Sequence, residues 1–305
     1  MSLPGWTGWA TKMKRRRPVF ISLLALCFFL SACNGSSTGQ ISAEEAESVP
    51  EEQLNSAMVH SSDEKVIWPV KTGFITEQIL NGADGEIHYS YYLPENYDES
   101  KSYPMVVVMP GYDMMWFGEE SSGTNLKWNG VLAWTALDQD LIVVSAQLTD
   151  WGEKSARQAI ELTEYFLNHF VVDEFRVYAA GYSAGGETMS QAVSMRPDLY
   201  AAYLHGASQW DGTYTSLAEN KVGVYIYMAE NDEYYGSQKA REAYNGLLSA
   251  YQAAGFSEDQ IDDMLQLQIP DNAHFNRLGI FNYHGGGNIL FDDKAILNWI
   301  LFHSK

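Results

Sequence analysis

A serine held between two glycines is the first feature of this chain that points to chemistry. Ser183 lies in the run Gly181-Tyr182-Ser183-Ala184-Gly185, directly after an apolar stretch and before a segment with a helical pattern. A serine hydroxyl can act as a nucleophile when it stands on a sharp strand-to-helix turn, where a base can reach it. Such a turn strains the serine backbone and leaves no room for side chains two positions away, which explains the glycines. The pattern therefore predicts a nucleophile elbow for acyl transfer.

The acid that would orient a base for Ser183 is expected after a later strand. In parallel sheets the catalytic groups collect at the carboxyl ends of the strands. Asp232 follows the apolar run 222–228. Its carboxylate would bind one nitrogen of a histidine, so that the other nitrogen can accept the serine proton. Glu230, in the same loop, is the alternative acid.

Two histidines follow the last predicted strand, and either could be the base. His284 precedes Gly285-Gly286-Gly287 and a closing helix, and a glycine-rich loop can bend a histidine back over the sheet. His274 lies nearer the strand. We take His284 as the base and His274 as the alternative, and we expect His205 to be a hydrogen-bonded core residue.

The negative oxygen of a tetrahedral intermediate needs two fixed donors, which we expect to be backbone N–H groups. Ala184 directly follows the nucleophile and supplies one. The other should come from the loop after the apolar run 105–109. Because Pro110 has no N–H, Tyr112 is the candidate for this second donor.

The elements that must position these residues alternate between strands and helices. Two strands around an Asn-Gly and Asp-Gly turn form a predicted hairpin, and short apolar runs predict buried strands with a half-polar edge strand at the end. The predicted strands are residues 73–80, 86–93, 105–109, 141–146, 177–180, 201–204, 222–228 and 265–269. Helical periods cover residues 156–170, 240–254 and 294–302. The pattern predicts an α/β fold with a mostly parallel central sheet and helices on both faces.

Several of these motifs resemble one known family. The chain order Ser183, Asp232, His284, together with Tyr92-Leu93-Pro94-Glu95-Asn96-Tyr97 and the run 103–108, resembles the α/β-hydrolase superfamily. Within it, the chain looks like the polyhydroxybutyrate-depolymerase-like and feruloyl-esterase-like secreted esterases, and more distantly like the catalytic domain of prolyl oligopeptidases. The resemblance spans roughly residues 73–302 and implies a serine esterase. This chain has Pro110-Gly111 where the family often has His-Gly.

Tryptophans predicted on the carboxyl side of the sheet suggest what would enter the cleft. Trp116, Trp151 and Trp210 each follow a predicted strand, and aromatic side chains there suit flat acyl groups or sugar rings. Residues 210–221 are too few for a large lid domain, so we expect an open cleft for bulky or polymer-linked esters. The alternatives are a serine peptidase of prolyl-oligopeptidase-like type, an acyl transferase, and a binding lipoprotein without catalysis.

The N-terminal region reads as an export signal. A basic block at 12–17 precedes an apolar run at 18–30, and Leu30-Ser31-Ala32-Cys33 resembles the bacterial lipobox, in which the cysteine is acylated. We expect a signal peptide at 1–33, a flexible acidic tether at 34–62 and the catalytic domain at 63–305. The alternatives to a lipoprotein signal are an ordinary cleaved signal and an uncleaved anchor. Met13 is an alternative to Met1 as the first residue of the protein. The prediction is an extracytoplasmic, membrane-anchored bacterial lipoprotein.

The amino-acid composition restricts the partners and cofactors that this protein is expected to bind. The 305 residues carry a formal net charge of −20, which argues against nucleic acid and against anionic lipid head groups as electrostatic partners. The two cysteines, Cys27 and Cys33, both precede the predicted tether, so no disulfide framework is expected in the catalytic domain. No zinc, calcium, phosphate-loop or dinucleotide motif occurs. We therefore expect neither a metal nor a cofactor.

Overall fold

The computed structural model describes residues 72–305, which lie within one compact unit, Ile67–Lys305. The predictions for the signal peptide, the lipobox at Cys33 and the tether fall outside the described residues. Eight strands form one sheet in the described part of the chain. They are β1 (Gly73–Gly82), β2 (Gly85–Leu93), β3 (Tyr103–Met109), β4 (Ile142–Gln147), β5 (Val172–Tyr182), β6 (Ala202–Gly206), β7 (Gly223–Tyr227) and β8 (Leu265–Gln268).

The sheet has the order β1-β2-β4-β3-β5-β6-β7-β8. β1 and β2 form an antiparallel hairpin, and β2 is also antiparallel to β4. From β4 to β8 all neighbouring strands are parallel. Because parallel strands place their carboxyl ends at the same edge, the loops after β3, β5, β6 and β7 meet there.

Helices connect the parallel strands. They are α1 (Asn129–Thr135), α2 (Glu153–His169), α3 (Ala184–Met195), α4 (Thr215–Glu219), α5 (Ser237–Ala253), α6 (Glu258–Met264), α7 (Asn272–Arg277), α8 (Tyr283–Gly286) and α9 (Lys294–Phe302). Short 3-10 helices lie at Tyr112–Met114, Glu119–Ser121, Thr124–Lys127, Pro197–Leu199 and Gly287–Asp292. None of the helices within residues 72–305 is long and apolar enough to cross a bilayer.

The core forms two layers, one on each face of the sheet. Successive strand side chains point to opposite faces, and in β3 the alternate residues Met105, Val107 and Met109 enter one cluster while Val106 and Val108 enter the other. Helices α2, α3 and α5 cover the first face, and α1 and α9 cover the second. The run of five apolar residues therefore reflects burial on both sides, as predicted.

The predicted fold class and all eight predicted strands are confirmed. β8 lies at the sheet edge with mostly half-buried side chains, as its half-polar sequence indicated. The short helices α1, α4, α6, α7 and α8 were not predicted. With 4 to 7 residues each, they are too short to show a helical period, and their stability comes from tertiary packing rather than from propensity.

The turn between β5 and α3 has the close packing that the two glycines predicted. A Cβ atom at Gly185 would lie 2.2 Å from the carbonyl oxygen of Met109. One at Gly181 would lie 2.5 Å from the carbonyl oxygen of Gly185. Both contacts are far shorter than van der Waals distance, so the start of α3 rests directly on the end of β3.

This packing predicts that Gly185→Ala lowers the free energy of unfolding by about 3 kcal/mol, because the backbone around it has no room to shift. Gly152→Ala is the matched control, since a Cβ atom there would meet its nearest neighbour, Asp150 Oδ1, at 3.8 Å. We expect the control to cost about 1 kcal/mol or less, because Gly152 is an N-cap residue. Denaturant titration of both variants measures the difference. Equal losses would contradict the steric explanation.

Candidate active site

Ser183 occupies the tip of the turn between β5 and α3. Its φ is 54° and its ψ is −125°, a conformation that is rare for a residue with a side chain. The backbone is held there by a 3.0 Å hydrogen bond from Ser183 N–H to the carbonyl oxygen of Gly206. The predicted strain of the elbow is therefore present, and it directs the hydroxyl away from the sheet.

The imidazole of His284 links the serine to an acid. Ser183 Oγ lies 3.0 Å from His284 Nε2, and His284 Nδ1 lies 2.8 Å from Asp232 Oδ2. The Asp232 side chain is fully buried, and that of His284 is 20% exposed. The structure thus brings together the three residues that the sequence proposed as nucleophile, base and acid.

Asp232 is held as a carboxylate by its surroundings. Its other oxygen, Oδ1, accepts hydrogen bonds from the N–H groups of Tyr234 and Tyr235, at 2.9 and 2.8 Å. Burial alone would raise the pKa of Asp232, but the hydrogen bonds from His284 and from these two N–H groups outweigh it, so the pKa lies below its ordinary value. The acid therefore carries its negative charge beside the imidazole at neutral pH.

The alternative residues do not reach this arrangement. His274 lies in the first turn of α7, where its N–H bonds the N-cap Asp271 and its ring packs edge-on against Phe275. Glu230 is exposed and bonds Pro270 only through its backbone. His205 is the buried histidine that the sequence suggested: its ring contacts Tyr203 Oη and the Ser208 carbonyl oxygen, and burial lowers its pKa to about 4.

The loop after β3 lies against the serine. A Cβ atom at Gly111 would lie 3.5 Å from Ser183 Cβ, which shows how closely this backbone approaches the nucleophile. Ala184 is the first residue of α3 and Tyr112 the first of a 3-10 helix, so neither N–H has an acceptor within its own helix. Both residues line the cavity in front of Ser183.

That cavity has a volume of about 410 Å³, and several aromatic side chains line it. Trp151 lines it, as predicted, and packs edge-on against Tyr112. Trp116 and Trp210 do not line it, contrary to the prediction. Trp116 stacks on His88 at 3.6 Å and borders a second cavity of about 430 Å³, and Trp210 packs against Tyr203 and His205. A position after a strand places the backbone of a loop residue at this edge, but packing decides where its side chain points.

Sequence reasoning missed two tyrosines of the cavity wall, Tyr234 and Tyr235. Tyr234 and Tyr235 flank the His284 ring at centroid distances of 5.3 and 5.6 Å. Trp128 contributes its buried ring and donates a hydrogen bond to Asn288. The spacing of Tyr234 and Tyr235 from Asp232 carried no signal, because loop residues have no periodicity from which a facing direction can be derived.

Glu187 was missed although a signal existed. It lies four residues after Ser183 at the start of α3, and residues four apart share a helix face. The Tyr235 hydroxyl donates a hydrogen bond to its Oε1. Burial raises the pKa of Glu187, the hydrogen bond from Tyr235 opposes that shift, and the nearby Asp211 carboxyl adds to it. Asp113 is the second acid of the cavity wall, and no lysine or arginine of the described chain lines it.

The raised pKa of Glu187 predicts a pH-dependent effect of Glu187→Gln. A carboxyl group whose pKa is raised on folding stabilises the fold fully below its ordinary pKa, and this contribution is lost as pH rises. Glutamine does not titrate, so we expect the variant to melt about 2 °C above the wild type at pH 8. Near pH 4 this advantage should disappear.

Thermal melts of both proteins between pH 4 and pH 8 measure this difference. Glu230→Gln, which removes the same charge from an exposed position, is the control for net charge. A melting difference between wild type and Glu187→Gln that is the same at every pH would contradict the assignment.

The family comparison covers the middle of the chain. Residues 145–264 match the model of the prolyl oligopeptidase family, peptidase family S9. This segment runs from β4 to the end of α6 and contains Ser183 and Asp232, and His284 lies beyond it. No curated protein sequence matches the chain.

Solved structures with the same fold include esterases and peptidases. A thermostable esterase has a TM-score of 0.64 at 18% identity, and the match covers 76% of this chain and 63% of that one. A protein assigned as a dipeptidyl aminopeptidase IV from Bacteroides ovatus has a TM-score of 0.54 at 16% identity, with 76% and 36% covered. This chain thus spans less than two thirds of either. MGS-M1, an α/β hydrolase from a Medee basin deep-sea metagenome library, has a TM-score of 0.54 at 10% identity, with 75% and 98% covered.

The matches to solved structures and the geometry at Ser183 together describe the fold and the candidate site. The solved structures share the fold of this chain, and His284 lies in hydrogen-bond reach of both Ser183 and Asp232 in front of a cavity. The chain has the α/β-hydrolase fold, and its Ser183, His284 and Asp232 are arranged as a nucleophile, a base and an acid.

Proposed function

We propose that this protein is a serine carboxylic-ester hydrolase that works through an acyl-enzyme. The observation that carries the proposal is the continuous hydrogen-bond chain from Ser183 through His284 to Asp232, opening on a cavity of about 410 Å³. The matches to an esterase and to the prolyl oligopeptidase family support the same class of chemistry.

The proposed reaction has two halves. Ser183 Oγ attacks the ester carbonyl carbon while His284 Nε2 takes its proton, and the N–H groups of Ala184 and Tyr112 bind the negative oxygen. The C–O bond to the leaving group then breaks, and His284 returns the proton to the departing alcohol. Water attacks the acyl-enzyme with His284 again as base, which releases the acid and restores Ser183.

Ester hydrolysis requires fewer additional catalytic groups than peptide hydrolysis does. An alkoxide is a better leaving group than an amide nitrogen, which must be protonated before the C–N bond can break. The same three residues therefore support esterase activity before any peptidase activity. The match of residues 145–264 to a peptidase family favours a prolyl-oligopeptidase-like serine peptidase as the second candidate.

The walls of the cavity suggest the substrate. Rings of Tyr112, Trp128 and Trp151 offer flat apolar surface for aryl groups or sugar rings, including polymer- or carbohydrate-linked esters. The acids Asp113 and Glu187 lie in the same wall without a cationic partner among the lining residues of the described chain. An acyl group with a free carboxylate would meet like charge there, so we propose a neutral acyl group.

A substrate panel tests this proposal. It contains neutral acetyl, feruloyl and long-chain esters, a hemisuccinate ester of matched size, acetylated sugars, hydroxyalkanoate oligomers and peptides. We expect a neutral ester to have the highest kcat/KM and the hemisuccinate to be at least about tenfold poorer. Faster cleavage of peptides than of every ester would favour the peptidase. Failure of a fluorophosphonate to label Ser183 in the folded protein would favour a binding lipoprotein without catalysis.

The extracytoplasmic site of action is proposed from the sequence alone. Leu30-Ser31-Ala32-Cys33 after the apolar run supports acylation of Cys33, which would attach the domain to a membrane through a lipid. Cys33→Ser should abolish incorporation of labelled palmitate and move the protein from the membrane fraction to the soluble fraction. If the wild-type protein incorporates no label, or if Cys33→Ser stays in the membrane fraction, the lipid anchor is contradicted.

A further inference from the structure

The residue beside the proposed orienting acid contacts the same histidine segment from another direction. Glu233 Oε2 accepts the N–H of His284 at 2.7 Å, and Glu233 Oε1 accepts the N–H of Tyr283 at 2.9 Å. We propose that Glu233 is a positioning residue that clamps the start of α8 and thereby sets where the His284 imidazole lies. The inference rests on the proposed role of His284 as the base.

The segment that carries His284 needs such a clamp. Helix α8 has four residues and ends in glycines, so it has almost no stability of its own. The N–H groups of Tyr283 and His284 begin the helix and have no acceptor within it. A carboxylate at this end satisfies both groups and interacts favourably with the helix dipole. Asn282 adds a third contact by accepting the N–H of Gly285 at 2.8 Å.

His284 is fixed at three points. Asp232 holds the ring nitrogen Nδ1, Glu233 holds the backbone N–H, and the Tyr182 hydroxyl donates to the backbone carbonyl oxygen. The first two anchors are neighbours in the loop after β7, and Tyr182 directly precedes Ser183. Hydrogen bonds therefore connect His284 both to the loop after β7 and to the residue that precedes the nucleophile.

The charge of Glu233 supports the contact. Partial burial would raise the pKa of Glu233, but the N–H groups of Tyr283 and His284 outweigh this and hold it below its ordinary value. Both hydrogen bonds therefore involve a charged acceptor at neutral pH, which makes each one stronger than a neutral pair. A glutamine could accept only one of the two N–H groups and would turn its own NH₂ toward the other.

Glu233→Gln is the first test, with Glu230→Gln as the matched control. The control removes the same charge from the same loop, at an exposed side chain without a hydrogen bond among the described residues. For a neutral ester we expect kcat to fall roughly tenfold in Glu233→Gln with KM within twofold, because a displaced base slows proton transfer and leaves binding intact. Glu230→Gln should match the wild type. Equal loss in both variants, or none in Glu233→Gln, would overturn the proposal.

A second pair of variants removes one donor instead of the acceptor. Tyr283 is the first residue of α8, where proline is tolerated, and the extended Asn282 before it fits a following proline. Tyr283→Pro deletes the N–H that Glu233 accepts, whereas Tyr283→Ala deletes only the ring. We expect kcat to fall about fivefold in the proline variant relative to the alanine variant. If Glu233→Gln does not fold, the two Tyr283 variants still test the proposal. Equal kcat values in Tyr283→Pro and Tyr283→Ala would overturn it.

One further readout separates this proposal from the proposed function. The proton between His284 Nδ1 and Asp232 should give a low-field NMR resonance in the wild type, and it should broaden in Glu233→Gln but not in Glu230→Gln. A wild type that neither hydrolyses esters nor reacts with a fluorophosphonate would contradict the proposed function alone. An unchanged resonance in Glu233→Gln would contradict the clamp alone.

Discussion

Ser183→Ala is expected to abolish ester hydrolysis, with kcat lowered roughly 10⁴- to 10⁶-fold. The variant keeps the backbone and the cavity but has no oxygen to form the acyl-enzyme. The N–H groups of Ala184 and Tyr112 would still be in place, so the residual rate above that of water should come from them and from binding. Steady-state kinetics on the best neutral ester, with active-site titration of the wild type, measure the loss.

Two companions make the Ser183 experiment specific. Ser249→Ala removes an exposed hydroxyl that bonds only its own helix and should leave kcat unchanged. Ser183→Gly should be as inactive as Ser183→Ala and melt at a temperature at least as high, because glycine relieves the strain of φ 54°. Activity within about tenfold of wild type in either Ser183 variant would remove this serine as the nucleophile.

Asp232→Asn is expected to lower kcat roughly 10³- to 10⁴-fold with little change in KM. An asparagine would present its NH₂ to His284 Nδ1 and so favour the tautomer that carries its proton on Nε2. That nitrogen could then no longer accept the proton of Ser183. The Tyr234 and Tyr235 N–H groups would still find an oxygen acceptor, so the loop should keep its shape.

The lowered pKa of Asp232 also predicts how the stability of Asp232→Asn changes with pH. A carboxyl group whose pKa is lowered on folding stabilises the fold above its ordinary pKa, and the contribution is lost as pH falls through the folded pKa. Asp232→Asn should therefore be less stable than the wild type at pH 7 and approach it in acid, the opposite trend to Glu187→Gln. Asp263→Asn, at an exposed position, serves as the charge control. Activity above a tenth of the wild type in Asp232→Asn would assign the orienting role to another acid.

The predictability of this protein differs from one element to the next. The prediction for α9 matched its observed bounds, Lys294–Phe302, because its apolar residues recur at helical spacing. β3 was recognised from five consecutive apolar residues, which only a strand covered on both faces would bury. The elbow was recognised because glycines at fixed positions report a local steric conflict. Each of these signals lies within a few neighbouring residues.

The candidate site was only partly predictable for the same reason. His274 and His284 both follow the last strand, and the glycines after His284 favoured that histidine without excluding His274. Trp116 and Trp210 follow strands as Trp151 does, yet their rings pack away from the cavity. In the sequence, Glu233 is one of three acids in a loop. Only the structure shows that the N–H groups of Tyr283 and His284 donate hydrogen bonds to it.

The sequence by itself determined the alternation of strands and helices and the turn at Ser183, because these depend on the period of apolar residues and on glycine at short range. Only the tertiary structure decided which histidine and which acids meet that serine. Ser183 and His284 are 101 residues apart, and Asp232 and His284 are 52 apart. Contacts across such separations arise when whole elements pack, so the direction of each loop side chain depends on neighbours that are distant in the chain.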